Sequence, residues 1–309
     1  MANNKGREPS GSFTEFCFIS EINVEDWLRN DLGISRSKIK EFHLKKKLLE
    51  KKTRKEENLK FPIDLINIHL INPVFTGSEI KILHTDNDLV TLSKPAGMHI
   101  FPLKYGEKDT VLNFLRNQNF GHDVLEVASH THEKGALFRI DRVTSGLMVF
   151  ARKASIYEQF RNKLAIQKYY LAVIEGAVTV AGEHRHFLSG LAKGGPKVRC
   201  SNESTAESVQ ANIEIIPLSY NQKLNLSLVG VVLNEGHRHQ IRVQLAYLGF
   251  PILGDDLYGG RRAERVFLHA WAYRFGEKIF SDETCPLFGN FFDLDSGLKM
   301  FRNHCGISE

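Results

Sequence analysis

The stretch FRIDRVTSGLMVF, Phe138 to Phe150, places one carboxylate, Asp141, between two arginines. An extended backbone here would put Asp141 on the same face as Arg139. The following Thr144-Ser145-Gly146 predicts a turn, and the apolar run Leu147 to Phe150 predicts a buried strand. A carboxylate flanked by cations favours its charged form and is available as a nucleophile or a base.

This stretch alone leaves a structural role open, because a single Asp near a turn is more often a cap or a surface ion pair. The segment nevertheless resembles the central motif of the RluA family of pseudouridine synthases, His-Arg-Leu-Asp-x-x-Thr-Ser-Gly-Leu. The matching positions are Arg139, Asp141, Thr144, Ser145 and Gly146. Phe138 stands where histidine is usual, and Ile140 stands where leucine is usual.

The composition is that of an ordinary globular protein. With 309 residues and 42% hydrophobic content, the chain has room for one large domain and one small one. No apolar run reaches about eighteen residues, and the polar start MANNKGREPSGS has no apolar signal segment. The four cysteines are scattered, without a Cys-x-x-Cys pair. We therefore expect a cytoplasmic protein with reduced thiols and no membrane span.

Positive charge is concentrated in one segment. Between Arg36 and Lys60 there are eleven Lys or Arg against four Glu, a local charge of +7, so the rest of the chain carries −2 of the total of +5. Such a segment suits a polyanion, because Lys and Arg that neutralise phosphates release condensed counterions. The alternative is a solvated helix face or a flexible basic linker.

The N-terminal part predicts a tail and two short helices. Residues 1–16 are rich in Asn, Gly, Ser and Lys and predict a disordered tail. The pattern VEDWLRNDLG predicts a helix capped by Asn23. Ser35 then caps a second, basic helix that turns Ile39 and Phe42 inward.

These helices also carry a resemblance. DWLRNDLGISRSKIKEF, followed by GSEIKIL, resembles the S-four-like RNA-binding domain often found in front of RluA catalytic domains, although KKKLLEKKTRKEEN replaces the usual Val-x-Val-Asn-Gly segment. The resemblance implies a small RNA-binding domain over 17–82 that docks on phosphates without selecting bases. The expected docking residues are Arg36, Lys38, Lys40, Lys45, Lys46 and Lys47.

After Gly77 the pattern becomes that of strands, EIKILHTD and DLVTLS, which Lys94-Pro95-Ala96-Gly97 interrupts. This break resembles the Lys-Pro-x-Gly segment that opens the RluA catalytic domain, which we expect over 83–309. Lys94 is a candidate phosphate or sugar contact, and an exposed loop lysine is the alternative. Thr110 to Asn117 predicts a short helix, and 118–135 predicts a loop.

The segment KYYLAVIEG, Lys168 to Gly176, predicts a strand and resembles the family pattern Lys-x-Tyr-x-Ala-x-Val-x-Gly. The resemblance puts Tyr170 at the position of the family's active-site tyrosine. A tyrosine ring offers a stacking surface for a base, and its hydroxyl can carry a proton. The alternative is a core tyrosine in an apolar strand.

The segment NEGHRHQIRVQL, Asn234 to Leu245, resembles the family pattern Thr-Gly-Arg-x-His-Gln-Ile-Arg-x-His. The matching positions are Gly236, His239, Gln240, Ile241 and Arg242. His237 replaces an arginine, and Gln244 replaces a histidine. The segments GFPILGDDLYG and FLHA also fit the family, so the similar segments together run from Gly77 to about Phe275.

The intervening stretches predict the remaining elements. Ser155 to Ala165 predicts a helix, 177–210 a polar excursion, and Val209 to Ile216 and Leu224 to Leu233 two strands. Many short strands with few long helices predict an α/β (α+β) class. The resemblance implies a catalytic domain with a central, mainly antiparallel mixed sheet.

The resemblance implies isomerisation of uridine to pseudouridine in structured RNA, without cofactor or metal. It makes Asp141, Tyr170 and Arg242 the catalytic residues, with Arg242 as the ion-pair partner of Asp141. The resemblance also implies that Arg139 fills the space left by a flipped nucleotide and that Ile241 lines the pocket. The further expected substrate contacts are His239, Gln240, Thr144 and Lys94. We expect a monomer that acts on rRNA in the first place and on tRNA in the second.

Two other classes of function are left open by the sequence. One is a metal-dependent hydrolase, because three His-x-His pairs could each place two imidazoles on one face of a strand. The pairs are His130 and His132, His184 and His186, and His237 and His239. The other is a non-catalytic RNA-binding or ribosome-assembly factor on the same fold, which the departures at Phe138 and His237 suggest.

Overall fold

The structure is a computed structural model that describes the chain in separate stretches. The described residues are 13–18, 20–31, 34, 36–62, 65, 71, 74–103, 107–128, 131, 133–162, 166–191 and 197–307. Two units each combine several segments. The first comprises Met1–Ser78, His99–Gly135 and Arg152–Ala154, and the second Glu79–Met98, Ala136–Ala151 and Ser155–Glu309. The predicted domains, 17–82 and 83–309, stay a prediction; the first unit also takes in 99–135.

The first unit contains a two-stranded antiparallel sheet. Strand β1 (Phe13–Phe18) pairs along its length with β2 (Glu57–Pro62). The predicted disordered tail is therefore wrong over 13–16, because these residues are paired in the sheet. Residues 1–12 lie outside the described part of the chain.

Short helical segments complete the first unit. They are α1 (Val24–Asp26), a π-helical turn (Trp27–Asp31), α2 (Arg36–Glu41), α3 (Lys46–Leu49), α4 (Val111–Arg116) and α5 (Gly121–Glu126). The predicted cap is confirmed, since the Asn23 side chain accepts a hydrogen bond from the Asp26 backbone N–H at 3.1 Å. Ile39 is buried, and Phe42 packs against the same core. The predicted cap at Ser35 lies outside the described residues.

Helix α4 confirms the prediction for Thr110 to Asn117, with Thr110 and Asn113 forming a reciprocal capping box. The loop predicted over 118–135 is wrong in part, because α5 lies within it. This helix begins at Gly121, where a Cβ atom would lie 2.1 Å from the carbonyl oxygen of Leu115. Its short length and its glycine start hid it from a search for periodicity.

The second unit is built on a mixed sheet. Its strands are β3 (Lys81–Thr85), β4 (Leu89–Lys94), β5 (Ser145–Ala151), β6 (Ile166–Glu175), β7 (Gly182–Ser189), β8 (Arg199–Ser201), β9 (Val209–Asn221), β10 (Leu226–Leu233), β11 (Leu268–Phe275) and β12 (Lys278–Ser281). The order is β3-β4-β5-β11-β6-β10-β9-β7-β8, with β12 also paired to β11. Among these described strands, β5 and β11 run parallel and the other pairs antiparallel. The predicted class and the mainly antiparallel mixed sheet are confirmed.

The predictions for the connecting stretches have mixed outcomes. Helix α6 (Ala154–Asn162) and strands β9 and β10 confirm three of them. The polar excursion over 177–210 contains two strands that the sequence did not predict, β7 and β8. These strands lie at the end of the sheet with one face partly exposed, so their sequences keep polar residues.

One face of this sheet packs against the C-terminal helix α8 (Leu294–Cys305). Tyr169, Trp271 and Phe301 share this core, and the Phe301 ring lies where a Cβ atom at Gly230 would be. Because side chains alternate along a strand, Tyr170 points to the other face. No helix in the described part of the chain is long and apolar enough to cross a membrane.

The central motif forms its turn earlier than the sequence predicts. The Thr144 N–H donates to the Asp141 carbonyl oxygen at 3.1 Å, so the turn spans Asp141 to Thr144. Ser145 and Gly146 already belong to β5. The predicted turn at 144–146 is therefore wrong, while the buried strand after it is confirmed. Gly146 has φ +116°, and a Cβ atom there would lie 2.3 Å from the carbonyl oxygen of Ala270 in β11.

Candidate active site

A buried arginine joins two carboxylates that lie far apart in the sequence. Arg242, in helix α7 (Gln240–Tyr247), donates from Nε and Nη2 to the two carboxylate oxygens of Asp255, each at 2.7 Å. Its Nη1 donates to Asp141 Oδ2 at 3.1 Å. Asp255 is fully buried, whereas 23% of the Asp141 side chain is exposed. The predicted ion pair is therefore present, and Asp141 is the carboxylate of the two that solvent reaches.

The charge of Arg242 is secured by these partners. Burial would lower the pKa of Arg242, but the hydrogen bonds and charges of Asp255, and then of Asp141, outweigh burial and raise that pKa. With all three groups ionised, the set carries one excess negative charge. The arrangement therefore presents an oriented carboxylate beside a fixed cation.

His239 precedes α7 in the left-handed conformation, with φ +56°. Its Nδ1 lies 2.9 Å from the Tyr258 hydroxyl, and its Nε2 lies 4.0 Å from Asp141 Oδ2. Burial lowers the pKa of His239, and the negative charge of Asp141 opposes that shift. The Tyr258 hydroxyl also accepts a hydrogen bond from the Val198 N–H at 2.9 Å. His239 is thus a neutral neighbour of Asp141 near pH 7.

Tyr170 lies in β6 and is buried. Its hydroxyl is 3.4 Å from the hydroxyl of Tyr273, which is fully buried in β11. Burial raises the pKa of Tyr170 to about 12; the bond to Tyr273 opposes this shift, and the charge of Asp141 adds to it. The Tyr170 phenol therefore keeps its proton at neutral pH.

Lys94 ends β4 and is fully buried, so the alternative of an exposed loop lysine is wrong. Its ammonium donates to the carbonyl oxygens of Pro95, Met98 and Arg142 at 2.8, 3.0 and 3.2 Å. These bonds use all three N–H groups of the ammonium. Burial lowers the pKa of Lys94 to about 7; the charge of Arg265 adds to the shift, and Asp141 opposes it. Lys94 thus ties the segment from Pro95 to Met98 to the backbone at Arg142, the residue after Asp141.

The other predicted substrate contacts occupy different settings. Thr144 is buried and closes the turn at Asp141. Ile241 and Gln240 are buried in α7, where the Gln240 side-chain amide donates to the carbonyl oxygen of Asn212 at 3.1 Å. Arg139 is exposed. The structure brings Asp141, Arg242, His239 and Thr144 together, and the substrate roles of all these residues stay predictions.

The departure at Phe138 coincides with an aromatic cluster. The Phe138 ring stacks on Phe275 with centroids 5.7 Å apart and meets Tyr273 edge-on at 5.8 Å. The Lys168 ammonium lies 4.5 Å above the Phe138 ring. Burial lowers the pKa of Lys168 to about 8, and the charge of Glu235 opposes the shift. Phe138 therefore contacts both Phe275 and Tyr273, and the Tyr273 hydroxyl in turn contacts that of Tyr170.

The His-x-His pairs do not assemble a metal site in what the structure describes. His184 and His186 stack with an interplanar angle of 2°, which places them on one face of β7 as predicted. His186 Nδ1 contacts the Gln244 side-chain amide at 3.0 Å. His130 and His132 lie outside the described residues. Among the described residues, no group of three or more His, Cys, Asp or Glu could hold a metal ion.

The predicted docking residues lie in the first unit. The exposed side chains among them are those of Arg36, Lys40, Lys45, Lys46 and Lys47. Arg36 pairs with Glu25 at 3.6 Å, and Lys46 pairs with Glu50 at 3.5 Å. Lys38 lies in α2, but its side chain is outside the described part. Their contact with RNA stays a prediction.

Sequence reasoning missed three residues next to the predicted site: Asp255, Tyr258 and Tyr273. The first two lie in the segment GFPILGDDLYG, which fits the family pattern but carries no periodic signal of a role. A buried arginine requires a counter-charge, but only the fold shows that Asp255 supplies it for Arg242. Tyr273 is one aromatic residue among several in a buried strand, and only the sheet register places it beside Tyr170.

Comparison with known proteins defines the class of this fold and site. Residues 88–247, more than half of the chain, match the RNA pseudouridylate synthase family. The chain belongs to the RluA family of RNA pseudouridine synthases, isomerases that convert uridine in RNA to pseudouridine.

Individual relatives agree with this assignment. An uncharacterized RNA pseudouridine synthase of Bacillus subtilis is 30% identical over 67% of this chain and 68% of its own length. Ribosomal large subunit pseudouridine synthase C of Rickettsia conorii is 26% identical over 72% of this chain and 75% of its own. Among solved structures, human RNA pseudouridylate synthase domain containing 1 has the same fold, with a TM-score of 0.52, 19% identity, and coverage of 74% of this chain and 97% of that one.

Proposed function

We propose that this enzyme isomerises uridine in large-subunit ribosomal RNA and that Asp141 is its catalytic carboxylate. The choice of RNA is supported by relatives named ribosomal large subunit pseudouridine synthase C, in Rickettsia conorii, and D, in Pseudomonas aeruginosa. The choice of Asp141 rests on one observation: a partly exposed carboxylate held at 3.1 Å by a buried arginine. Transfer RNA is the second candidate substrate.

The chemistry defines what these side chains must do. The bond between uracil N1 and ribose C1′ breaks, uracil turns in place, and its C5 atom bonds to C1′. The proton of C5 is released and N1 gains one, so atoms are conserved and no cofactor is consumed. Asp141 acts as nucleophile or base, and its attack on the sugar, attack on the base and removal of a ribose proton are the three routes open to it. Arg242 fixes the direction of the carboxylate through the reaction.

The remaining residues bind the nucleotide and support the site. Tyr170 stacks on the uracil and, with its phenol protonated, donates or relays a proton. Ile241 lines the pocket, and Arg139 occupies the space left by the flipped nucleotide. Lys94 acts indirectly, because its N–H groups hold the backbone at Arg142 next to Asp141.

The N-terminal part binds the RNA. The exposed basic side chains from Arg36 to Lys47 contact phosphates, and the S-four-like domain over 17–82 supplies affinity without base selection. We assign the enzyme to the cytoplasm and expect it to act as a monomer.

Mapping of pseudouridine tests the proposal. In cells that lack this gene, at least one large-subunit rRNA uridine should stay unmodified, and wild-type protein should restore it. Asp141→Asn should not restore it, whereas Asp256→Asn, an exposed carboxylate in the same unit, should. Restoration by Asp141→Asn would favour the non-catalytic RNA-binding role. Loss confined to tRNA would overturn the choice of RNA.

A further inference from the structure

Asp255 is a buried carboxylate that the proposed chemistry does not use. We propose that it is a positioning residue: it fixes the guanidinium of Arg242 so that one remaining N–H group points at Asp141. This inference rests on the proposed function of Asp141 and extends it to the residue that orients its partner.

The hydrogen bonds restrict the arginine strongly. A guanidinium is planar, and two parallel bonds from Nε and Nη2 to one carboxylate, each 2.7 Å long, fix both its plane and its rotation. The direction of Nη1 toward Asp141 then follows from the geometry of Arg242 itself. The Tyr258 ring, with its centroid 5.3 Å from the Arg242 Cζ atom, adds a cation–π contact.

The loop that carries Asp255 is tightly constrained. The backbone N–H of Asp255 donates to the carbonyl oxygen of Ile252 at 3.0 Å. A Cβ atom at Gly254 would lie 1.7 Å from the Arg265 carbonyl oxygen, and one at Gly260 would lie 2.0 Å from that of Ile252. Both close approaches require glycine. The Asp255 carboxylate therefore has a fixed origin as well as a fixed partner.

Burial assigns Asp255 to Arg242 rather than to substrate. The Asp255 side chain is 0% exposed, and a buried charge requires a hydrogen-bonded counter-charge. Both of its oxygens bond to Arg242. Asp141, on the other side of the same guanidinium, keeps exposed surface for the nucleotide.

Sharing one guanidinium between two carboxylates also affects reactivity. Because Asp255 takes two of the hydrogen bonds of Arg242, Asp141 receives one and retains lone pairs for the reaction. Without the Asp255 charge, Arg242 would turn toward Asp141 and pair with it more fully. The Asp141 carboxylate would then lose both its orientation and part of its nucleophilicity, while RNA contacts elsewhere would be unchanged.

Turnover of an rRNA fragment that wild-type protein modifies tests the inference. Asp255→Asn should lower kcat about 10- to 100-fold, the cost of a misplaced reacting group, with KM within about twofold. Asp256→Asn is the matched control and should behave as wild type, since Asp256 is exposed and adjacent. Weakened RNA binding, or unfolding below the assay temperature, in place of a kcat loss would overturn the inference in favour of a purely structural role.

A double-variant cycle identifies the route of the effect. Lysine cannot form the two-pronged bond, so Asp255→Asn should change kcat less than about threefold when Arg242→Lys is already present. Losses that multiply in the double variant would overturn the inference, because Asp255 would then act independently of Arg242. Asp141→Asn belongs in the same series. If Asp141→Asn turned over the RNA, the proposed function would be refuted. If Asp141→Asn were inactive but Asp255→Asn kept the wild-type kcat, only the positioning role would be refuted.

Discussion

Gly146→Ala should destabilise the second unit at the point where the central motif enters its sheet. Gly146 has φ +116°, outside the left-handed well that other residues tolerate, which costs about 1–3 kcal/mol for an alanine. The new Cβ atom would also lie 2.3 Å from the carbonyl oxygen and 2.6 Å from the nitrogen of Ala270. These atoms belong to the backbone of β11 and cannot rotate away, so overpacking adds about 1–3 kcal/mol.

The combined loss of about 2–6 kcal/mol is large beside the total stability of about 5–15 kcal/mol typical of a folded protein. In urea, with a slope of about 3 kcal/mol per molar, the unfolding midpoint should fall by about 0.7–2 M. Gly249→Ala is the matched control, because Gly249 has φ +91° but no atom within 4 Å of its Cβ position. Only the conformational cost should then appear. Equal midpoints for the two variants would refute the reasoning, since the approach of β5 to β11 would carry no steric cost.

Three further predictions address the site and the docking segment. Tyr273→Phe removes the hydroxyl that contacts the Tyr170 hydroxyl at 3.4 Å, and the loss of about 1 kcal/mol of hydrogen bonding should lower kcat about fivefold. Tyr169→Phe, on the opposite face of the sheet, is the control and should leave kcat unchanged. Equal kcat values for the two variants would contradict this prediction. Burial lowers the pKa of Lys94 to about 7 in the folded chain, below its unfolded value near 10.4. Between these two pKa values the unfolded state binds more protons than the folded state, so the free energy of unfolding should rise with pH from 7 to 10. Chemical denaturation across this range should give a flatter pH dependence for Lys94→Met, and identical slopes would refute it. Replacing the run Lys45–Lys47 by alanine should reduce the slope of log affinity for RNA against log salt by about 2–3 with unchanged kcat at saturating RNA, and an unchanged slope would exclude these lysines from docking.

Sequence pattern predicts best where residues make local or paired chemical demands. The buried run after Asp141 and the cap at Asn23 follow from periodicity and capping chemistry. The pairing of Asp141 with Arg242 was implied by the family resemblance. Strand β7, the last but one in the sheet, was missed because its partly exposed residues are polar, and its sequence then resembles a loop.

The parts of the site that could not be predicted depend on tertiary burial. A lysine beside a proline and a glycine suggests a loop, and only the three carbonyl oxygens around Lys94 explain its full burial. The partner of Arg242 on its buried side, Asp255, lies in an irregular segment whose shape is set by close glycine contacts. Such contacts leave no period in the sequence.

The hydrogen bond from Arg242 to Asp141 spans 101 positions of sequence, and this separation has a consequence during synthesis. Asp141 leaves the ribosome long before Arg242, and strand β11, which pairs with both β5 and β6, follows later still. At about 5–20 residues per second, several seconds pass between the appearance of Asp141 and that of β11. A nascent chain therefore exposes the Asp141 carboxylate before it has the arginine that orients it or the strand that joins β5 to β6.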